Sequence, residues 1–510
     1  MSSYSVEPQR LPNGLHWLAR PVPGALASVR VVYRVGARDD PTGRSGMTHL
    51  ALRLTAGASR YLEPGQFHRL IAQAGGTTTL EIDDDFAALQ STVLAPHLER
   101  LLWAEAERMS NPRLDPDTLV RGRAQLRQAA QQPLLQPYGR LDLAVQRHGY
   151  LTHPYQRGTL GDPDQLRDLD VEELRAFHAA NFRTDRALLV ITGAFDEGAL
   201  ARWVMHYFGS IRSPMGAAGS ASAAVGSSAM ASSSSSGNAS AVPAPSPKAE
   251  LAGSAASPGM SSSAASAAAS STPSGSAGSA ASSNASGEGR EPREPREARD
   301  ARRPQSQTLK LSLPQAPLPA AALVWQVPRL DDASSPAWRL AHALLGRGRS
   351  GRLTDTLVDE LAVAHHLNLR LVQHQQAGLL VAQALAAHGQ TAAPLAAALL
   401  KEVLRLADEP VSDEELDKAK ALLKREWQAG EWGASTLAKT LADAWVLRGD
   451  VSAPAKDAAL WARLTADDVQ QLWRRQVVQA PVLTLLADVG AAAAAGAGAA
   501  IVRTVPGAWA

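Results

Sequence analysis

From Ala27 to Val35 ("ASVRVVYRV") apolar and polar residues alternate, a period of two that predicts a half-buried strand. After Gly46 the period lengthens. Met47, Leu50 and Leu54 recur on one face of a predicted helix, "SGMTHLALRLTAG", with Gly57 as a C-cap candidate. "PGQFHRLIAQAGG" reads as a short helix ended by glycines, and "TTTLEIDDDFAALQSTV" as β-rich chain. "HLERLLWAEAERMSNP" is a periodic helix stopped at Asn111-Pro112. "LPNGLHWLARP" gives a turn and then a strand. Antiparallel sheet with segregated helices fits this order better than a doubly wound fold.

The pattern then repeats. "LDPDTLVRGRAQLR" (114–127) matches "VSDEELDKAKALLK" (411–424), and both begin with helix-start chemistry: Asp115-Pro116 in one, a Ser412/Glu415 capping box in the other. "RDLDVEELRAF" (167–177) matches "ARLTADDVQQL" (462–472), and strand-like runs follow at 186–195 and 480–489. Leu119 pairs with Leu416, Leu169 with Leu464 and Arg186 with Ala480, at offsets of 297, 295 and 294. A near-constant offset over three matches predicts two copies of one α/β unit.

Between the copies, residues 213–305 are rich in Ser, Ala, Gly and Pro and have no apolar period. Such a stretch cannot bury enough surface to offset its ordering entropy, so a disordered linker is expected. It ends in the mixed-charge run "GEGREPREPREARDARR". A coil of roughly 90 residues spans on the order of 50 Å, so only a packed interface can fix the two halves in space. The predicted organisation is an N-terminal domain (1–212), the linker (213–305), a C-terminal domain (306–490) and a low-complexity tail (491–510). The fold class is α+β, with two homologous domains, each a mainly antiparallel sheet packed with helices.

Composition narrows the chemistry. The 51 basic and 49 acidic residues leave a formal charge of +2, and aromatics are 5% of the chain, neither of which suits a nucleic-acid binder. With no cysteine, thiol catalysis, disulfides and Cys-based zinc sites are excluded, so a transition metal would have to use His, Asp or Glu. The N-terminus has no charged segment leading into an apolar one, and no apolar window is long enough to cross a membrane. These point to the cytoplasm; a misplaced start codon would conceal a leader and shift the expectation to the periplasm.

The ordered succession N-G-L, "GARDDP", "GMTH", "GQF", "AGGTTT", "ERMSNPRLDPDTL" and "HPYQRGTLGDPDQLRDLDVEELRAFHAANF" resembles the pitrilysin/insulinase/mitochondrial-processing-peptidase family over residues 11–212, and more weakly over 305–490. The resemblance implies two similar α/β domains, often with an active and an inactive chain enclosing a peptide chamber. Active members carry H-x-x-E-H on the first helix. Positions i and i+4 place two imidazoles on one face for zinc, and the glutamate deprotonates the metal-bound water. A glutamate on a later helix completes the set.

Mapped onto this chain, the first ligand is His49, the base position holds Leu52, the second ligand position Arg53, and the third Ala129, or Gln128 if the register slips. No other His or Glu lies between Ser45 and Ser59 to rescue the motif. One imidazole cannot hold zinc where three or four protein ligands are needed, and Arg53 adds a fixed positive charge. No cofactor is therefore expected. The family's substrate-binding Arg and Tyr of the second domain fall on Val358 and His365. A peptide-binding edge strand is implied at Gly76, Thr77, Thr78 and Thr79, where backbone pairing needs no catalytic side chain.

Other candidates read as structural. His365-His366, taken as helical neighbours, would point about 100° apart. "EIDDDF" (Glu81, Asp83, Asp84, Asp85) lacks a calcium loop's spacing and reads as an acidic turn. "GRGRSGR" (346–352) is not a phosphate loop, because no G-K-[ST] follows. The expected function is a non-catalytic partner of an active zinc-bearing homologue, as heterodimer or homodimer, in peptide processing or degradation and binding extended peptides. The alternatives are an active metalloendopeptidase with an unrecognised site, or a structural core subunit.

Overall fold

A computed structural model describes residues 7–212, 300–346 and 351–489. Two sheets share one topology. In the first half, β1 (Gln9–Arg10), β2 (His16–Pro21), β3 (Leu26–Tyr33), β4 (Thr77–Ile82), β5 (Ala87–Leu94) and β6 (Ala187–Gly193) lie in the order β1-β2-β6-β3-β5-β4. In the second, β7 (Gln307–Ser312), β8 (Ala320–Val327), β9 (Ala364–Gln373), β10 (Gly378–Ala386) and β11 (Leu483–Asp488) lie as β7-β11-β8-β10-β9. β2 runs parallel to β6 and β7 to β11; every other pairing is antiparallel. The fold is α+β in two similar halves, as the internal repeat requires.

The first half carries helices α1 (Met47–Gly57), α2 (Gln66–Gln73), α3 (Leu98–Ser110), α4 (Pro116–Leu135), α5 (Gly139–Gly149), α6 (Val171–Asn181) and α7 (Glu197–Phe208). The second carries α8 (Ser335–Gly346), α9 (Ala392–Arg405), α10 (Asp413–Glu431), α11 (Ala434–Arg448), α12 (Ala453–Trp461) and α13 (Ala466–Trp473). The repeat is visible in the caps. Asp115 accepts from Thr118 N to start α4, and Ser412, its counterpart, forms a capping box with Glu415 to start α10. α6 and α13 begin on a second matched pair, Asp170 and Thr465.

Most helices of each half cover one face of its own sheet. The other face is covered by a helix from the opposite half. α5 lays Leu141, Ala144 and Val145 against Val324, Leu379 and Leu485 of the second sheet. α11 lays Ala438, Ala442, Trp445 and Val446 against Val32, Leu188 and Val190 of the first. This exchange explains a departure from the sequence reading. β3 is not half-buried: Val29, Val31 and Tyr33 enter its own core, while Arg30 on the opposite face is 1% exposed beneath α11. Arg30 is compensated by Asp443 and Glu81, each 2.8 Å away. A charged residue that reads as solvent-facing is an interface residue here.

Residues 300–305, assigned to the linker by composition, are held in the fold. The Asp300 carboxylate accepts the backbone N–H groups of Leu151, Thr152 and His153 at 2.7–3.0 Å. The rest of the expected linker (213–299), residues 347–350 of the Gly-Arg stretch and the expected tail lie outside the described residues.

Candidate functional site

α1 starts at Gly46 (φ +96°), a conformation that favours glycine. Asp40 caps it, accepting from Gly46 N at 2.6 Å and Thr48 N at 2.7 Å. Burial raises the Asp40 pKa to about 6 against the opposing pull of these bonds. α1 ends at Gly57 and is capped by Ala58 rather than by the glycine.

His49 is 8% exposed. Its Nδ1 lies 3.3 Å from Thr159 O, so that nitrogen donates, and Nε2 accepts from Arg53 Nη2 at 3.4 Å. Burial first and Arg53 second hold the imidazole pKa down to about 4, leaving it neutral near pH 7. The lone pair that a metal would take is already engaged by a guanidinium. Leu52 is fully buried in the core.

α4 packs against α1 through Gly122, where an added Cβ would lie 2.8 Å from Leu50 and Leu54 side-chain carbons. Leu126 continues that face, and Ala129, half-buried, stands one turn further along it. Gln128 is exposed. His49, Leu52, Arg53 and Ala129 together do not fit a zinc ion: one engaged imidazole, two apolar side chains and a cation supply no tetrahedral donor set.

Beside α1 and α4 runs β4, the terminal strand of its sheet, which carries Thr77, Thr78 and Thr79 and is preceded by Gly76. Its one partner among the described strands is β5. The edge borders a cleft of about 520 Å³ lined by Arg53, His68, Thr78, Thr79, Arg108, Arg121 and Gln125 among others, with no Asp or Glu in the lining. Arg108 is neutralised by Glu105 at 2.5 Å and stacks 3.4 Å from the Phe67 ring centroid. Sequence reasoning placed Arg53 but missed Arg108, Arg121 and His68, which come from three other helices.

Val358 and His365 are not presented on one element. Val358 lies in the helical turn Asp355–Glu360, packed on the second core, and His365 is exposed on β9. His365 and His366 are therefore on a strand, not a helix. Ala364 pairs with Ala386 and His366 with Leu385, so His365 is the extra residue of a β-bulge. The groove of the second half beside α8, α10 and β9, the counterparts of α1, α4 and β4, is also walled by α11 and α12 and is lined by Arg339, Trp427, Asp443, Arg448 and Asp457 among others. There the buried Asp457 carboxylate sits 2.7 Å from Arg448 and 3.4 Å from Arg339.

The acidic turn between β4 and β5 is an inter-half contact. His374, in the β9–β10 turn, lies 3.4–3.7 Å from Asp83, Asp84 and Asp85. Asp85 also takes Arg38, Tyr155 Oη and Gln375 N. Burial would lower the His374 pKa, but the three carboxylates outweigh it and raise it. Asp84, buried among like charges, is raised to about 7. Asp83, Asp85 and His374 could supply three ligand atoms within 4.8 Å of one another. Sequence order gave no signal for this cluster, because His374 is about 290 residues from the turn it enters.

Comparison with known proteins gives a consistent family. Residues 18–162 match Insulinase (Peptidase family M16), and residues 168–248 and 277–423 match Peptidase M16 inactive domain. The zinc protease PqqE of Helicobacter pylori is 22% identical over 206 residues, 40% of this chain and 46% of that protein. A probable mitochondrial-processing peptidase subunit alpha of Schizosaccharomyces pombe is 21% identical over 197 residues, 38% of each chain. The match thus spans less than half of each curated relative. Among solved structures, a protease from Helicobacter pylori superposes with a TM-score of 0.74 at 18% identity, covering 95% of this chain and 99% of that one. A peptidase M16 inactive domain from Pseudomonas fluorescens gives 0.71 at 14% identity, covering 95% and 98%. No helix among the described residues is long and apolar enough to cross a membrane.

Proposed function

The chain belongs to the insulinase (M16) peptidase family, and on that premise we propose that it is a non-catalytic member, binding no zinc, that holds extended peptide substrate for an active, zinc-bearing homologue. The observation that carries this reading is the occupancy of the motif positions: Leu52 is buried where the general base belongs, and Arg53 engages the Nε2 of the sole retained ligand, His49. Without a carboxylate beside a metal-bound water, the family's hydrolysis has no proton acceptor. What remains suited to peptide is the terminal strand β4 with the cleft beside it. The relative from Schizosaccharomyces pombe is named as a subunit, which supports a paired arrangement.

The rival is an active metallopeptidase with a relocated site, favoured by Asp83, Asp85 and His374. Against it, both Asp85 oxygens are already engaged, by Arg38 and Tyr155 on one side and Gln375 N on the other. One experiment separates the two: elemental mass spectrometry of metal-replete protein, with a generic peptide-cleavage assay on the same sample. The expected result is far less than one zinc per chain and no cleavage alone, with cleavage appearing once the active homologue recovered by pull-down is added. One zinc per chain with chelator-sensitive cleavage overturns the proposal.

A further inference from the structure

The cleft beside β4 holds cationic side chains that no described residue neutralises. Arg53 is half-buried, its Nε is buried without a hydrogen-bond partner, and its Nη2 meets a neutral imidazole. Among the described residues neither Arg53 nor Arg121 forms an ion pair, and both line a cleft without a carboxylate. Partly buried cations normally find an anionic partner, and guanidinium groups grip carboxylates through paired N–H donors. The equivalent groove of the second half shows the compensated alternative, with Asp457 between Arg339 and Arg448.

We propose that this cleft binds an Asp or Glu side chain of an extended peptide laid along β4. The inference rests on the peptide-holding reading above and adds the substrate class to it. A strand added to β4 would lie about 4.8 Å beyond it, with alternate side chains pointing to opposite faces of the sheet. One set points to the face where Thr78 and Leu80 lie, which is the face of the cleft, so an acidic residue in that register reaches Arg53 and Arg121. The absence of any lining Asp or Glu disfavours a lysine or arginine at the same register.

Isothermal titration of the full chain tests this with end-capped ten-residue peptides of unstructured sequence, differing only by Glu, Gln or Lys at a central position. The Glu peptide should bind about tenfold tighter than the Gln peptide, with Lys weakest, and added salt should shrink the preference. In Arg53→Gln and Arg121→Gln variants the Glu advantage over Gln should fall to about twofold, read as the ratio of the two affinities within each variant. Arg121 is exposed, so its variant keeps the test valid if Arg53→Gln folds poorly. Equal binding of Glu and Gln peptides by the native chain overturns the acidic preference and leaves the peptide-holding reading intact. Binding of none overturns both. A Glu preference that persists in the double variant, or that follows a free C-terminal carboxylate instead of the side chain, overturns the assignment to this cleft.

Discussion

Two grooves at equivalent places in the repeat have opposite electrostatics. In the second half, between α8, α10 and β9, Asp457 is 3% exposed and pairs with Arg339 and Arg448, while Asp331 takes the other side of Arg448 at 3.0 Å. The cations of this groove are met by carboxylates of the chain itself. In the first half, between α1, α4 and β4, Arg53 and Arg121 form no ion pair among the described residues, and Arg53 leans on a neutral histidine. One backbone architecture thus supports a self-neutralised groove and one poised for an outside anion. Topology decides where the grooves are, and the acidic side chains the fold supplies, Asp457, Asp443 and Glu426 in one lining and none in the other, decide what each can hold.

The contrast is most sharply tested by removing the internal anion. Asp457→Ala leaves Arg339 and Arg448 short of a buried partner and should cost about 3–5 kcal/mol in urea unfolding. Arg53→Leu relieves an uncompensated cation and should change stability by less than about 1 kcal/mol in either direction. Similar costs for the two variants would erase the distinction. Next in size is repair of the lost motif. Leu52→Glu with Arg53→His puts a carboxylate at a fully buried apolar position and should lose about 2–4 kcal/mol, and zinc analysis should find no stoichiometric metal, since Ala129 supplies no third ligand. Cleavage by that double variant would show that the third ligand lies elsewhere. Smaller again is Gly122→Ala, which forces the α1–α4 contact apart and should cost about 1–3 kcal/mol by thermal unfolding, with no counterpart at Ala419 in α10.

The smallest expected effect is with pH. His374 has a folded pKa above its unfolded value, so its contribution is complete below about 6.5 and is lost as pH rises through the folded value. Asp84, raised to about 7, acts in the same direction: its cost to the fold grows as pH climbs from about 4 toward 7. The groups facing His374 are Asp83, Asp84 and Asp85, with Arg38 and Tyr155 behind Asp85. His49 and His178, both held down to about 4 by burial, act the opposite way and withdraw stability as pH falls below about 6.5. The unfolding midpoint should therefore peak slightly on the acid side of neutrality. His374→Gln should flatten the fall on the alkaline side and, because His374 also holds the Asp83 carboxyl down, shift the acid limb upward in pH; an unchanged alkaline limb would remove His374 from the account.

The sequence by itself determined the local elements and their duplication. Pro116 after Asp115, the Ser412/Glu415 box and the alternation in β3 are encoded within a few residues, because caps and periodicities are short-range physics. The spacing from His49 to Leu52 and Arg53 lies within one helical turn, so the departure of these positions from H-x-x-E-H is read from the sequence alone. The tertiary structure decided what each sheet's second face meets. Arg30 reads as a solvent residue until α11 brings Asp443 over it, and the acidic turn reads as solvated until His374 enters it from the other half. The cationic cleft is assembled from residues as far apart as Arg53 and Arg121, and its character comes from which carboxylates the fold keeps away from it. Pairwise charge interactions act over a few ångströms in space whatever the distance along the chain, so no local pattern could reveal them.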